Sequence, residues 1–150
     1  MYSFVLILHS WLRWIAIAAG IGATAAATSS APGGGSDRPG LLFMISMDLQ
    51  MLLGLLLYTF LSPVTAAIFK DFGAAMKDPA ARFWAVEHIT MMLTAVVLAH
   101  VGRVLARKAA TPGAKRTRLI VCFGLSTLLM IAGTPWPGMR AGRPFFRLQI

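Results

Sequence analysis

Residues 2–27, YSFVLILHSWLRWIAIAAGIGATAAA, form an almost unbroken apolar run, and its reading decides the fold. A helix rises about 1.5 Å per residue, so roughly 17–25 such residues span the hydrocarbon of a bilayer. A cleaved signal would open with basic residues and carry a shorter apolar core. This run lacks a basic start and is interrupted by His9 and Arg13, so it reads as a retained helix. Three more apolar blocks follow: 41–61, stopped at Ser62-Pro63; 82–106, after Asp78-Pro79; and the shorter 119–133, ended by Gly133-Thr134-Pro135. Ser29–Gly40 (SSAPGGGSDRPG) reads as a flexible loop. Period-2 alternation is absent, which favours helices over a closed barrel. The expected fold is an all-α, up-down-up-down four-helix transmembrane bundle. It is one domain over 1–150, with an interfacial tail at 134–150.

Composition agrees with the blocks. The 150 residues are 57% hydrophobic and 13% charged, where a soluble domain carries about a quarter charged residues. The net charge of +9 does not point to nucleic acid, because the basic residues lie in short loops and no soluble module presents them. Membrane-flanking Lys and Arg set topology and meet anionic headgroups. The expected partner is therefore the lipid bilayer. Both termini fall on one side, with the 62–81 connection. The acid-free cluster Arg103, Arg107, Lys108, Lys115, Arg116 and Arg118 marks the other side as cytoplasmic. Cys122 is the one cysteine and has no internal disulfide partner. No CxxCH is present, which excludes covalent c-type haem.

Ionisable residues inside such spans usually mark a functional site. Counted along the helices, His9 and His88 lie roughly 8–10 Å inside from the side of the termini. Helices one and three of the expected bundle are diagonal, with axes roughly 11–14 Å apart when neighbours are 8–10 Å apart. That gap suits two imidazoles flanking a haem iron. The bland alternative is that both histidines join helices by hydrogen bonds or handle protons. His100 lies about 18 Å deeper than His88 and about 120° round the helix. It reads as interfacial, and less readily as a metal ligand.

Arg13 and Asp48 reach similar levels near the midplane, and a pair between them is expected. Otherwise Arg13 would meet a haem propionate or a quinone carbonyl. Gln50 adds a nearby amide that need not share the face of Asp48. Glu87 points about 100° away from His88, either steadying an imidazole or meeting Arg82 or Arg140. Met44, Met47 and Met51 form a stripe, with Met91 and Met92 after His88; adaptable packing is the usual role, copper or haem ligation the sharper one. Trp11 and Trp14 are deep enough to wall a planar cofactor. Gly20, Gly22, Gly54 and Gly124 permit close helix approach or leave room for a cofactor edge. In the tail, aromatics alternate with Arg140, Arg143 and Arg147. This segment is either an interfacial strap or a cover whose Arg140 or Arg143 pairs with propionates.

The runs Leu8-His-Ser-Trp-Leu-Arg-Trp14, Asp48-Leu-Gln-Met-Leu-Leu-Gly54 with Tyr58, Phe83-Trp-Ala-Val-Glu-His-Ile-Thr-Met-Met92, and Pro135-Trp-Pro with Gly142-Arg-Pro144 resemble small four-helix bacterial membrane proteins labelled cytochrome b-like. The resemblance spans nearly the whole chain. It implies b-type haem, a bacterial inner membrane with periplasmic termini, and attention to His9, Arg13, Asp48, Gln50, Glu87, His88 and Arg143. The first expectation is a cytochrome b-type electron-transfer subunit that works with other membrane redox subunits or a quinol pool. Cofactor-binding candidates are His9, His88, Arg13, Arg140, Arg143 and Trp14, with His9 and His88 on the metal. The rivals are a haem-free accessory subunit of a respiratory or photosynthetic complex, and a quinone or proton site without haem. No nucleophile–base–acid set or phosphate loop is present, so self-sufficient hydrolysis or group transfer is not expected.

Overall fold

A computed structural model describes residues 1–29 and 37–146, and those residues contain helices, turns and no strand. The helices are α1 (Tyr2–Ser29), α2 (Asp37–Leu56), α3 (Pro63–Lys70), α4 (Phe72–Lys77), α5 (Pro79–Arg82), α6 (His88–Arg107) and α7 (Pro112–Ala132). Two π-helical turns, Leu57–Leu61 and Phe83–Glu87, extend the end of α2 and precede α6. Three stretches are long and apolar enough to cross a membrane: Tyr2–Ser29, Arg38–Leu61 and Pro79–Arg107. The apolar part of α7, 119–132, covers roughly 21 Å at 1.5 Å per residue.

Several boundaries differ from expectation for local reasons. Ser62-Pro63 and Asp78-Pro79 end one element and also start the next. Ser62, Asp71 and Asp78 each accept a backbone N–H from three residues on, and Pro63 and Pro79 sit in the first turn, where the missing N–H costs nothing. The 62–81 connection is therefore three short capped helices. Thr111-Pro112 does the same for α7, which begins seven residues before Leu119. Lys115, Arg116 and Arg118 are helical there because polar residues outside the hydrocarbon do not stop a helix. Likewise α2 starts at Asp37 within the stretch read as a loop; the preceding 30–36 lie outside the described residues, as does Arg147.

The four long helices pack in a ring: α1 touches α2 and α7, and α6 touches α7 and α2. Contacts give the directions. His9 meets Gln50, while Gly20 faces Phe43, so α1 and α2 are antiparallel. His88 meets Gly133 and Ser126 donates to the Ala95 carbonyl, so α6 and α7 are antiparallel. Tyr58 reaches Ala85, while Asp48 meets His100, and Thr28 meets Arg116. Each long helix thus opposes both its neighbours, and α1 and α6 stand diagonally. The core joins Ala16, Ala23, Phe43, Ala95, Ala99 and Phe123, small residues that let axes approach around two aromatic rings. Outward faces carry exposed apolar side chains such as Ile15, Leu42, Leu52, Val97 and Leu128, a surface suited to lipid.

Part of the basic cluster has a local task. Arg116 donates to the Thr28 carbonyl at the end of α1, and Arg118 to the Leu105 carbonyl near the end of α6. Cations at helix C-termini satisfy orphan carbonyls and oppose the negative end of the dipole.

Candidate functional site: a histidine pair in a cavity

At the end of the ring bearing the π-turns, α1 supplies His9 and Arg13, α2 supplies Gln50 and Gly54, and α6 begins at His88. The Phe83–Glu87 turn inserts an extra residue just before His88. Relative to a regular helix, this shifts everything beyond it by about 100°. Arg82 and Glu87, five residues apart as a π-turn requires, pair at 2.7 Å across it. Glu87 therefore takes the surface role. Tyr58, in the other π-turn, donates to the Ala85 carbonyl at 2.6 Å and ties the two turns together.

The imidazoles of His9 and His88 face one another across the diagonal, ring centres 6.4 Å apart and planes at 73°. His88 Nδ1 lies 2.8 Å from the Gly133 carbonyl. A carbonyl only accepts, so Nδ1 carries the proton and Nε2 keeps its lone pair. Trp84 and Phe83 pack against the same ring at 5.5 and 5.7 Å. Gln50 Nε2 donates to the His9 carbonyl at 3.0 Å and stands 3.3 Å from His9 Nε2. Gly54 makes room for the ring, since a Cβ there would stand 3.1 Å from His9 Cε1. Three buried polar atoms here have no partner among the described residues: His9 Nδ1, Arg13 Nε and Gln50 Oε1.

A cavity of about 140 Å³ runs along this pair. His9, His88, Gln50, Arg13 and Arg143 line it, with Met47, Met51, Met92 and Met130, and none of the described residues in its wall is a carboxylate. The tail closes one side as a strap. Arg13 Nη2 and Trp14 Nε1 both donate to the Phe145 carbonyl, at 2.9 and 3.0 Å. Trp14 also meets the rings of Trp136, Phe145 and Phe146.

The structure thus gathers His9, His88, Arg13 and Arg143 on one cavity, and places the other candidates elsewhere. Trp14 anchors the strap and is not in the cavity wall. Arg140 is exposed, while Arg143 lines the cavity and lays its guanidinium 5.2 Å from the centre of the Trp84 ring. His100 lies outside the cavity, against Asp48 at 3.4 Å. The expected Arg13–Asp48 pair does not form, for a reason of face rather than depth. Gln50 is two residues from Asp48, about 200° round the helix, so the packing that brings Gln50 to His9 turns Asp48 outward. Met47, Met51 and Met92 of the sequence-read methionine stripe line the cavity, while Met130 and the Gly133 carbonyl were not legible as site features. They meet there because the packing of α2, α6 and α7 turns them to one cavity.

Among the described residues, no group of three or more His, Cys, Asp and Glu side chains converges as a metal site. Comparison with family models, curated proteins and solved structures finds no match.

Proposed function

We propose that the chain is a four-helix, up-down-up-down transmembrane bundle in a bacterial inner membrane, α7 being its fourth crossing. Its termini lie on the periplasmic side. It holds one haem b between His9 and His88 and passes single electrons between other membrane redox subunits or a quinol pool. The carrying observation is the facing imidazole pair on a wall that bears two arginines and, among the described residues, no acid. The ring centres stand 6.4 Å apart, close enough for His9 and His88 to hold one metal between them. His88 donates its other nitrogen to a backbone carbonyl, the arrangement that orients a ligating ring and raises its basicity. Arg13 and Arg143 favour a guest bearing carboxylates, such as the two propionates of haem. Bound there, haem supplies reversible one-electron chemistry. The protein's own residues orient the rings, exclude water through the strap and Trp84, and neutralise the carboxylates.

Purified protein, oxidised and then reduced, is expected to show a Soret band and a sharp reduced α-band. His9→Ala and His88→Ala should each abolish them, and His100→Ala should leave them in place. Well-folded protein that takes up no haem overturns this reading.

A second reading, a Cu(I) site, is favoured by Met47, Met51, Met92 and Met130, which line the same cavity as the histidines. Thioether and imidazole ligands suit Cu(I), and an ion fits the cavity without displacing a wall, whereas a macrocycle requires the walls to part. The two arginines oppose a bare cation. Metal analysis decides: stoichiometric copper with no Soret band selects copper, and stoichiometric iron with the band selects haem.

A further inference from the structure

Asp48 on α2 and His100 on α6 form a second polar locus, on the outside of the molecule. Both lie within the stretches long and apolar enough to cross a membrane. Yet their side chains are 45% and 41% exposed. Asp48 stands about 16 Å along α2 from its start, and His100 about 10 Å from the end of α6. Both side chains are shorter than the Lys and Arg side chains that extend to headgroups from inside a span. His100 Nδ1 donates to the Val96 carbonyl at 3.0 Å, which leaves Nε2 for Asp48 Oδ1 at 3.4 Å. That is longer than the roughly 2.7–2.9 Å of a charge-assisted hydrogen bond. A carboxylate accepts up to about four hydrogen bonds, so this contact leaves most of its capacity unused. Around the pair, Ile45, Leu52, Val97 and Val104 are each roughly half exposed.

Ionisable groups in a span face protein or a water-filled cavity, because hydrocarbon offers them no partner. The flanking Ile, Leu and Val side chains favour protein over water as the surround of this seam, because water there would meet mostly apolar walls. Its chemistry selects the kind: an acid and a base side by side make a patch complementary to itself. A two-fold axis places residue i of one copy against j of the other and j against i. We infer that the α2–α6 seam is the interface of a two-fold dimer of this chain, in which the acid of each copy lies against the base of the other, Asp48 facing the ring edge of His100 across the axis. The four groups then form one closed cluster, sealed from lipid by the flanking Ile, Leu and Val. The inference is independent of which cofactor the cavity holds.

An axis along the membrane normal keeps identical residues at equal depth, so single cysteines report on it. In a Cys122→Ser background, Leu52→Cys and Val97→Cys should each give a disulfide-linked dimer in oxidised membranes. Leu128→Cys, exposed on α7, should not. Photobleaching of labelled wild-type protein in dilute vesicles should count two copies. Asp48→Leu with His100→Leu, which suits lipid and keeps the cavity intact, should raise the dimer dissociation constant at least tenfold. The inference is overturned if wild type is monomeric at every protein-to-lipid ratio, if Leu128→Cys cross-links as well as Leu52→Cys, or if the double-leucine variant dimerises as tightly. The cavity's absorption spectrum is unaffected in any of these outcomes, which separates this test from that of the cofactor.

Discussion

The two ends of the helix ring are built on opposite plans. Toward the basic end, small residues draw the axes together: Gly20 leaves no space for a side chain between Phe43 and Thr127, and Gly102 lies against Cys122. Phe43 and Phe123 fill the centre edge to face at 5.4 Å. The buried hydroxyls there, on Ser46, Ser126 and Thr127, all donate to carbonyls. At the other end the same helices stand around a cavity, and the orphaned buried polar atoms of the described residues are all there, on His9, Arg13 and Gln50. Native interiors leave few such groups unpaired. The contrast separates the half that is packed and fully hydrogen-bonded from the half that encloses the cavity.

The comparison predicts that damage at the two ends reads out differently. Phe123→Ala should have the largest effect on stability. In lipid the chain stays in an apolar phase, so the cost is mainly the cavity term, about 24 cal/mol per Å³, or about 2 kcal/mol for roughly 100 Å³ lost. The thermal midpoint in detergent should fall while cofactor content per folded protein stays constant; a matching loss of cofactor would merge the two halves into one. Gly54→Ala should do the reverse, because its Cβ would press on His9 Cε1. Cofactor content should drop several-fold at nearly unchanged midpoint, and an unaltered spectrum would remove Gly54 from the site. Arg143→Ala should show the smallest effect. Loss of its stacking on Trp84 is worth about 0.5–1 kcal/mol, seen as a small fall in midpoint together with weaker cofactor retention.

How far the sequence could be read depended on the kind of interaction involved. Block length marked four spans, of which three stand as helical stretches long and apolar enough to cross a membrane, and depth counting put His9 and His88 at one level on diagonal helices, as the ring packing has them. Depth counting failed for Arg13 and Asp48 because rise per residue says nothing about rotation, and Gln50 set the rotation of α2. It also missed both π-turns, whose wide hydrogen bonding leaves no mark in composition. Hydropathy placed the start of α7 too late, since Thr111-Pro112 and three basic residues form helix outside the apolar block.

Apolar content, the spacing of breakers and the isolation of a few ionisable residues were enough to read a helical chain with stretches long and apolar enough to cross a membrane and a polar cluster near one end. These are local properties, carried by each segment whatever its neighbours do. Which side chains meet could not be obtained that way. The facing of His9 and His88, the donation of His88 to Gly133, the strap on Arg13 and Trp14, and the turn of Asp48 toward His100 each depend on how helices rotate about their axes. That rotation is set by side chains far apart in the chain packing at once.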